Sequence, residues 1–415
     1  MSDFYDALEL RDPAQREQDL LAALPRQVLQ AQTAATAFST ILAGVQASAI
    51  DSREALARLP VTRKSDLLAL QKAQRAINPF GGFATIGFGP RMTRVFASPG
   101  TIYEPEGEAR DYWRTARALH AAGFRSGDLV HNCFSYHMTP AGAIMESGAH
   151  ALGCTVFAGG TGQTEQQVDA IADLKPAGYV GTPSFLKIII ERAAEKGVAL
   201  PSLTKALVSG EAFPPSLRDW IAARGVTGAQ CYATADLGLV AYETAAREGL
   251  VLDERVIVEI VRPGTGDAVP EGEVGEIVVT TLNPDYPLIR FGTGDLSAVM
   301  SGHCPTGRTN MRIRGWLGRA DQTTKVRGMF VHPGQVADVV RRFPQVQRAR
   351  LVVEGEMGDD HMTLKIECAG QPDGLPERIA DAIRDVTKLR ATVEPVQPGS
   401  LPNDGKVIDD ARSYR

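Results

Sequence analysis

The chain has 415 residues, 44% apolar, 22% charged and 6% aromatic, a globular composition that excludes wholesale disorder and allows two or three domains. Lys+Arg 44 against Asp+Glu 49 leave a net charge of −5, so the basic surplus of a nucleic-acid binder is missing. Met1 to Asp6 lacks the basic-then-apolar pattern of a secretory signal, and no apolar run approaches the ~18 residues of a membrane span, so a cytoplasmic protein with no membrane partner is expected.

In chain order, Glu17 to Phe38 carries Leu20, Leu21, Leu24, Val28 and Leu29 at helical spacing. A second helix follows Thr62, read as its N-cap, with Asp66 in the first turns and Leu67, Leu68 and Leu70 beyond. Residues 79–107 are rich in Gly and Pro and read as loop and hairpin; Glu108 to Ala122 reads as a helix closed by Gly123. From 127 short apolar runs alternate with helical segments. Strands are expected at 128–134, 154–158, 178–181, 205–209 and 229–233, with helices at 139–152, 164–174, 184–196 and 215–223 between them. That alternation predicts βαβ units and a parallel sheet covered on both faces, whose ligands gather at the carboxyl ends of its strands. Residues 251–318 turn β-rich and read as an antiparallel barrel or sheet attached to the first unit. The remainder alternates short strands with helices near 335–342 and 375–389. The predicted fold is α/β: a large N-terminal domain over 1–318, with a helix-covered parallel sheet and a β-rich subdomain at about 251–318, and a small α+β C-terminal domain over 319–415.

Five scattered cysteines, Cys133, Cys154, Cys231, Cys304 and Cys368, include no CxxC pair and fit reduced thiols. Cys133-x3-His137 and His150-x3-Cys154 have a metal-like spacing. Both cysteines read as buried strand residues, however, and His150 lies in a small-residue helix, so tetrahedral convergence is not expected.

The familiar nucleotide fingerprints are missing: no GxxxxGK[ST] occurs, and no GxGxxG joins a strand to a helix. What does occur is Ser98-Pro99-Gly100-Thr101 straight after Val95-Phe96, where the hydroxyls of Ser98 and Thr101 and the amides of a tight turn could donate to phosphate oxygens. Phe291-Gly292-Thr293-Gly294-Asp295 follows the apolar run Leu288–Arg290, and a carboxylate after such a turn suits a bidentate grip on ribose hydroxyls. Cys231-Tyr232-Ala233-Thr234-Ala235-Asp236 ends a parallel strand, with Tyr232 offering a flat face to a purine and Asp236 a hard oxygen ligand to Mg²⁺. Gly318-Arg319-Ala320-Asp321 and Pro402-Asn403-Asp404-Gly405-Lys406 complete the set.

In this order the loops resemble those of the adenylate-forming enzymes, and among these the phenylacetate–CoA ligase family, from about residue 60 to the end. Ser98 to Pro105 resembles that family's phosphate loop, Tyr232 to Asp236 its Tyr-Gly-x-Ser-Glu motif and Phe291 to Asp295 its Tyr-Arg-Thr-Gly-Asp motif. Gly318 to Asp321 resembles its hinge, and Pro402 to Lys406 its C-terminal lysine loop. The segments at Gly160 to Gln167, Thr182 to Ser184 and Ser209 to Ala212 look like its sheet-end loops.

The resemblance implies ATP, Mg²⁺ and CoA as cofactors and a small aromatic or arylacetic acid as substrate. The carboxylate attacks the α-phosphate to give an acyl-adenylate and pyrophosphate, and the CoA thiol then takes the acyl group and releases AMP. Lys406 would bridge carboxylate and α-phosphate, Asp236 would orient Mg²⁺ directly or through water, and Arg319 would brace ribose or phosphate. Ser98, Gly100 and Thr101 would hold phosphates, Asp295 the ribose, and Ser209, Gly210, Glu211, Cys231, Tyr232, Ala233 and Thr234 the rest of the nucleotide. Phe134, Tyr136, His137, Gly160 and Ala235 would meet the acid, with Tyr136 over its ring, and the C-terminal domain would swing about Asp321. A homodimer is implied as well. The chain departs from the family at Pro99, Ile102 and Tyr103, at Asp236 for Glu, at Ala235 for a hydroxyl, and at Glu104 for the usual lysine. Opposite a triphosphate Glu104 would repel it, unless it points away or helps hold the metal. An acceptor other than CoA (a carrier-protein thiol or an amine) and a regulator that binds ATP without turnover are the alternatives.

Overall fold

The computed structural model describes residues 3–262, 265–317, 319–320, 324–326, 329–331, 333–355, 360–368, 374–402 and 406–412. Two compact units divide the chain, Met1–Leu317 and Gly318–Arg415.

The first unit is built on a nine-stranded mixed sheet. Its parallel half runs, in spatial order, Thr155–Ala158, Leu129–Asn132, Gly178–Gly181, Lys205–Val208 and Thr227–Thr234. The helices Ala141–Leu152, Thr164–Leu174, Pro183–Glu195 and Pro215–Ala222 connect them. Side chains on successive strand residues point to opposite faces, and here both faces are dry. Tyr179, Ala206 and Val208 enter one core with Val168, Ile171, Leu186 and Ile189; Val180 and Leu207 enter the other with Leu119, Val130 and Met145. Helix ends follow local chemistry. Thr182 Oγ1 accepts from the Phe185 amide ahead of Pro183 at the first helical position. Gly153 closes the helix Ala141–Leu152 at φ +90, where a Cβ would stand 2.5 Å from Ser126 Oγ.

Thr227–Thr234 outruns its parallel partner, and its last four residues pair antiparallel with Gly238–Glu243. Leu250–Leu252, Arg312–Ile313 and Val299–Met300 extend the sheet from there. Val256–Val261, Gly275–Thr281, Phe291–Ser297 and the two-residue strand Thr62–Arg63 form a separate four-stranded sheet. The β-rich stretch is thus shared between two sheets instead of closing on itself, because its shorter strands find open edges on the large sheet.

Local readings shift for physical reasons. The first long helix is Pro13–Ala34, started by Asp12, whose side chain accepts from the Ala14 and Gln15 amides; a short helix Thr36–Ile41 follows. Thr62 is not an N-cap but a buried strand residue paired to Phe291, and the helix begins at Lys64 with Asp66 accepting from the Arg63 amide. Helix between 108 and 122 is confined to Ala116–Ala121. Asp111 and Arg114 take φ +52 and +66, and the buried Arg114 guanidinium reaches the carbonyls of Leu237 and Leu239. Tertiary bonds there outweigh helix propensity.

The second unit has a four-stranded sheet in the order Thr392–Val396, His361–Cys368, Val346–Glu354 and Ile408–Asp410. The helix Leu375–Thr387 lays Leu375, Ile379, Ala382 and Ile383 on it, and the core they share includes Val336 and Val339 of the helix Pro333–Val340. A hairpin of Thr324–Val326 with Met329–Val331 precedes them.

Candidate active site

The hairpin Met92–Ser98 and Ile102–Gly107 turns through Pro99, Gly100 and Thr101, with Gly100 and Thr101 exposed at φ +98 and +62. The helix Lys64–Gln74 fastens it. Gln71 donates to the Tyr103 carbonyl (2.9 Å) and accepts from its amide (2.7 Å), and Arg75 donates to the Thr101 carbonyl (2.9 Å). Ser98, expected to face phosphates, is buried instead, and its hydroxyl donates to Glu104 Oε1 at 2.6 Å. The strand pairing explains this: Ser98 lies opposite Ile102 at the closed end of the hairpin, with Glu104 two residues on along the partner strand. Of the turn, the Gly100 amide and the Thr101 hydroxyl remain for an anion, since Pro99 has no N–H and the Thr101 amide donates to the Ser98 carbonyl (3.0 Å).

Glu104 is 0% exposed, and it does not point to solvent. Its carboxyl lies against that of Asp236, also buried, whose Oδ2 accepts from Lys64 Nζ at 2.9 Å. Burial first, and the negative charge of Asp236 second, hold Glu104 well above the usual carboxylate range, with Lys64 opposing them. Glu104 Oε2 and Asp236 Oδ1 are buried with no N–H donor. Arg114 and Trp113 brace the adjoining chain: Arg114 donates to the Leu237 carbonyl, and a Cβ on Gly238 would come within 2.8 Å of the Trp113 carbonyl.

Asp295 does not follow a strand, as its sequence context suggests, but sits within one, Phe291–Ser297. Glu276 pairs with Leu296 and Val278 with Gly292, so residues 293–295 bulge out of register opposite Ile277. The bulge, with Gly294 at φ +74, aims Asp295 at the end of the large sheet. There Asp295 Oδ2 accepts from the Tyr232 hydroxyl (2.7 Å) and Oδ1 from the Trp316 indole (3.1 Å). Tyr232 is placed by its own bulge between Tyr232 and Ala233. Cys231 is buried and its thiol is pushed up to about 12 by burial, which makes it packing rather than a nucleophile. Its carbonyl accepts from Ser209 Oγ at 2.9 Å, which ties the Ser209-Gly210-Glu211 turn to the strand. Ala233 and Thr234 lie half-buried at the strand end, where Thr234 Oγ1 accepts from the Leu237 amide; Ala235 follows.

Around the next strand ends, Phe134 is buried, and a Cβ on Gly210 would lie 3.9 Å from its ring. Tyr136 is partly exposed, and its hydroxyl donates to Glu146 Oε2 (2.8 Å) while accepting from Asn132 Nδ2 (2.8 Å). His137 is exposed. Gly160 turns at φ +68 and faces open space, with nothing within 4 Å of where a Cβ would stand. Gln167 secures that turn by donating to the Gly159 carbonyl (2.8 Å) while accepting from buried His131 (2.7 Å). Burial lowers the His131 pKa, so its Nε2–H is the donor of a neutral ring.

In the second unit Arg319 is half-buried, and Lys406 is exposed beside Asp409 (3.2 Å), two residues before the strand Ile408–Asp410. Asp321, the expected hinge, lies outside the described residues. The first unit therefore brings together Tyr232 with Asp295, Ser209 with Cys231, and Glu104 with Asp236. Lys64 and Trp316 are functional candidates that sequence reasoning missed. Lys64 carried no signal beyond a lysine at a helix start; Trp316 stands two residues before the Gly318-Arg319 motif and could have been weighed with it.

Among the described residues no helix is long and apolar enough to cross a membrane. Residues 111–283 match the model of the AMP-binding enzyme family, and residues 328–411 that of the AMP-binding enzyme C-terminal domain. The phenylacetate-coenzyme A ligase of Thermus thermophilus is 33% identical over 87% of this chain and 87% of its own length. That of Escherichia coli is 30% identical over 88% of this chain and 86% of its own length. The crystal structure of 2-hydroxyisobutyryl-CoA ligase with 2-HIB-AMP and CoA superposes with a TM-score of 0.76 at 25% identity, covering 99% of this chain and 93% of that one. The chain belongs to the phenylacetate-coenzyme A ligase family of AMP-binding enzymes.

Proposed function

We propose that the protein activates an aromatic or arylacetic carboxylic acid with ATP, forming an acyl-adenylate and pyrophosphate, and passes the acyl group to CoA with release of AMP. The observation that carries the reading is the Tyr232–Asp295 pair at the carboxyl end of the sheet, a buried carboxylate presented beside an aromatic face where a parallel sheet gathers its ligands. Two ionised oxygens suit vicinal ribose hydroxyls, and the flat ring beside them suits a purine. The exposed turn, with the Gly100 amide and the Thr101 hydroxyl, suits the distal phosphates.

Adenylation is chiefly positioning and charge neutralisation. Lys406 is the residue assigned to the carboxylate and the α-phosphate, with Arg319 bracing the ribose. Both belong to the second unit, so rotation about Asp321 would withdraw Lys406 once the adenylate is made. The buried oxygens Glu104 Oε2 and Asp236 Oδ1, without an N–H donor, fit a hard divalent cation, so these two carboxylates are the residues that would hold Mg²⁺. Bound there, the metal supplies charge neutralisation toward the phosphates. The acid's ring is assigned to Phe134 and Tyr136, in keeping with relatives named for phenylacetate.

A panel of aromatic acids tests the reading through pyrophosphate release. Release that depends on the acid is expected, and ATP binding without turnover for any acid would turn the protein into a regulator. AMP formation should in turn depend on CoA; an amine or a carrier protein that replaces CoA would move the acceptor.

A further inference from the structure

We propose that Trp316 is a nucleotide-site residue whose indole N–H competes with a ribose hydroxyl for Asp295. The proposal rests on the reading of Asp295 as the ribose carboxylate. A bidentate grip on two vicinal hydroxyls needs both oxygens of that carboxylate, and each accepts from a ring donor: Oδ2 from Tyr232 at 2.7 Å and Oδ1 from Trp316 at 3.1 Å. The two donors are not equivalent. Tyr232 is 9% exposed, in a bulged strand whose backbone is paired along its length. Trp316 is 50% exposed and makes the longer bond, so its ring is the one that can turn away into water.

The backbone beneath the indole is held on both sides, Arg314 N donating to the Ala298 carbonyl (3.0 Å) and Leu317 N to that of Leu296 (2.9 Å). Release of Asp295 is therefore a side-chain movement, which costs little conformational rearrangement. Each carboxylate oxygen has lone pairs for two donors, but four donors crowd one nearly buried carboxylate, and the half-exposed indole is the one free to leave. When ribose arrives, Trp316 yields.

Tryptophan emission reads this directly. The chain has three tryptophans. Trp113 is 1% exposed with its N–H on Glu106 (2.7 Å), and Trp220 lies under the Arg224 guanidinium at 3.6 Å. Only Trp316 touches Asp295 among the described tryptophans. MgATP is titrated into the full chain and into Trp316→Phe, which keeps a ring and removes the N–H, with binding followed in parallel by calorimetry. ATP should change the emission of the unaltered protein, and Trp316→Phe should lose that change while binding ATP about ten- to a hundredfold more tightly, the range of one hydrogen bond to a charged carboxylate no longer in competition. A second arm needs no variant: 2′,3′-dideoxy-ATP should bind more weakly and, at saturation, leave the emission at its nucleotide-free value. The proposal is overturned if Trp316→Phe keeps the full change or binds ATP no more tightly. It is equally overturned if saturating dideoxy-ATP reproduces the change that ATP causes. No ATP binding by calorimetry would instead overturn the nucleotide reading of the site.

Discussion

The resemblance implies a lysine where this chain has Glu104, and the structure places the Glu104 side chain inside the fold. An anion aimed at a triphosphate would oppose binding, but this one is turned inward between Ser98 and Asp236, with Lys64 Nζ on the far oxygen of the pair. Glu104→Gln keeps the shape and the Ser98 bond but removes an anionic ligand. Half-maximal pyrophosphate release should then need about tenfold more Mg²⁺, with little change in kcat once the metal saturates; an unchanged Mg²⁺ requirement would remove Glu104 from the metal site. Asp295→Ala removes charged hydrogen bonds worth roughly 1.5–3 kcal/mol, so the KM for ATP should rise about ten- to a hundredfold. ATP kinetics settle it, and an unaltered KM would remove the ribose assignment. At this scale the sequence was informative about residue types and mute about direction. Asp295, Tyr232 and Asp236 could be picked out because carboxylates and an aromatic stand where apolar runs give way to small and turn-forming residues. That Ser98 faces inward could not, because it depends on the pairing of Ser98 with Ile102 across the hairpin.

Between elements, the segment 111–115 shows why the predicted helix over 108–122 fails. Asp111 accepts from the Ala116 amide and is largely shut off from water, which pushes its carboxyl up to about 7. The unfolded chain releases this proton at an ordinary carboxylate value near 4, so the fold binds it more tightly. The stability it lends is complete below about pH 4, falls as the pH rises, and is gone above about pH 7. Asp111→Asn keeps an oxygen for the amide and tolerates φ +52. It should exceed the unaltered protein by about 1 kcal/mol near pH 4.5 and by up to roughly 4 kcal/mol at pH 8. Urea unfolding at both pH values measures this, and equal stability at pH 8 would show that Asp111 is not held protonated. Gln71 offers a second check. Its paired bonds to Tyr103 fasten the hairpin over 92–107 to the helix, and Gln71→Ala, which leaves both Tyr103 backbone groups unpaired, should cost about 1–3 kcal/mol in the same assay. The parallel strands and their helices were legible because each is a short apolar run flanked by 3.6-period segments. The split of the β-rich stretch between two sheets was not, since two-residue strands such as Thr62–Arg63 and Arg312–Ile313 have no periodicity to read.

At the scale of the whole molecule the proposed chemistry is divided between units, with Asp236 and Asp295 in one and Lys406 in the other. If Lys406 serves only adenylation, Lys406→Ala should abolish acid-dependent pyrophosphate release and leave the thioester formed from ready-made acyl-adenylate and CoA near its normal rate. Equal damage to both halves, read in separate single-turnover assays, would contradict alternation of the C-terminal unit. The central claim is narrower: the acid's own oxygen attacks the α-phosphate. Its most direct test is turnover of a carboxylic acid labelled with ¹⁸O in both carboxyl oxygens, followed by mass spectrometry of the products. Attack at the α-phosphate puts a labelled oxygen in the bridge of the anhydride, and thiol attack at the carbonyl expels it with the nucleotide. Each AMP should therefore carry one ¹⁸O and the thioester the other. Unlabelled AMP, with the label in inorganic phosphate instead, would contradict the acyl-adenylate.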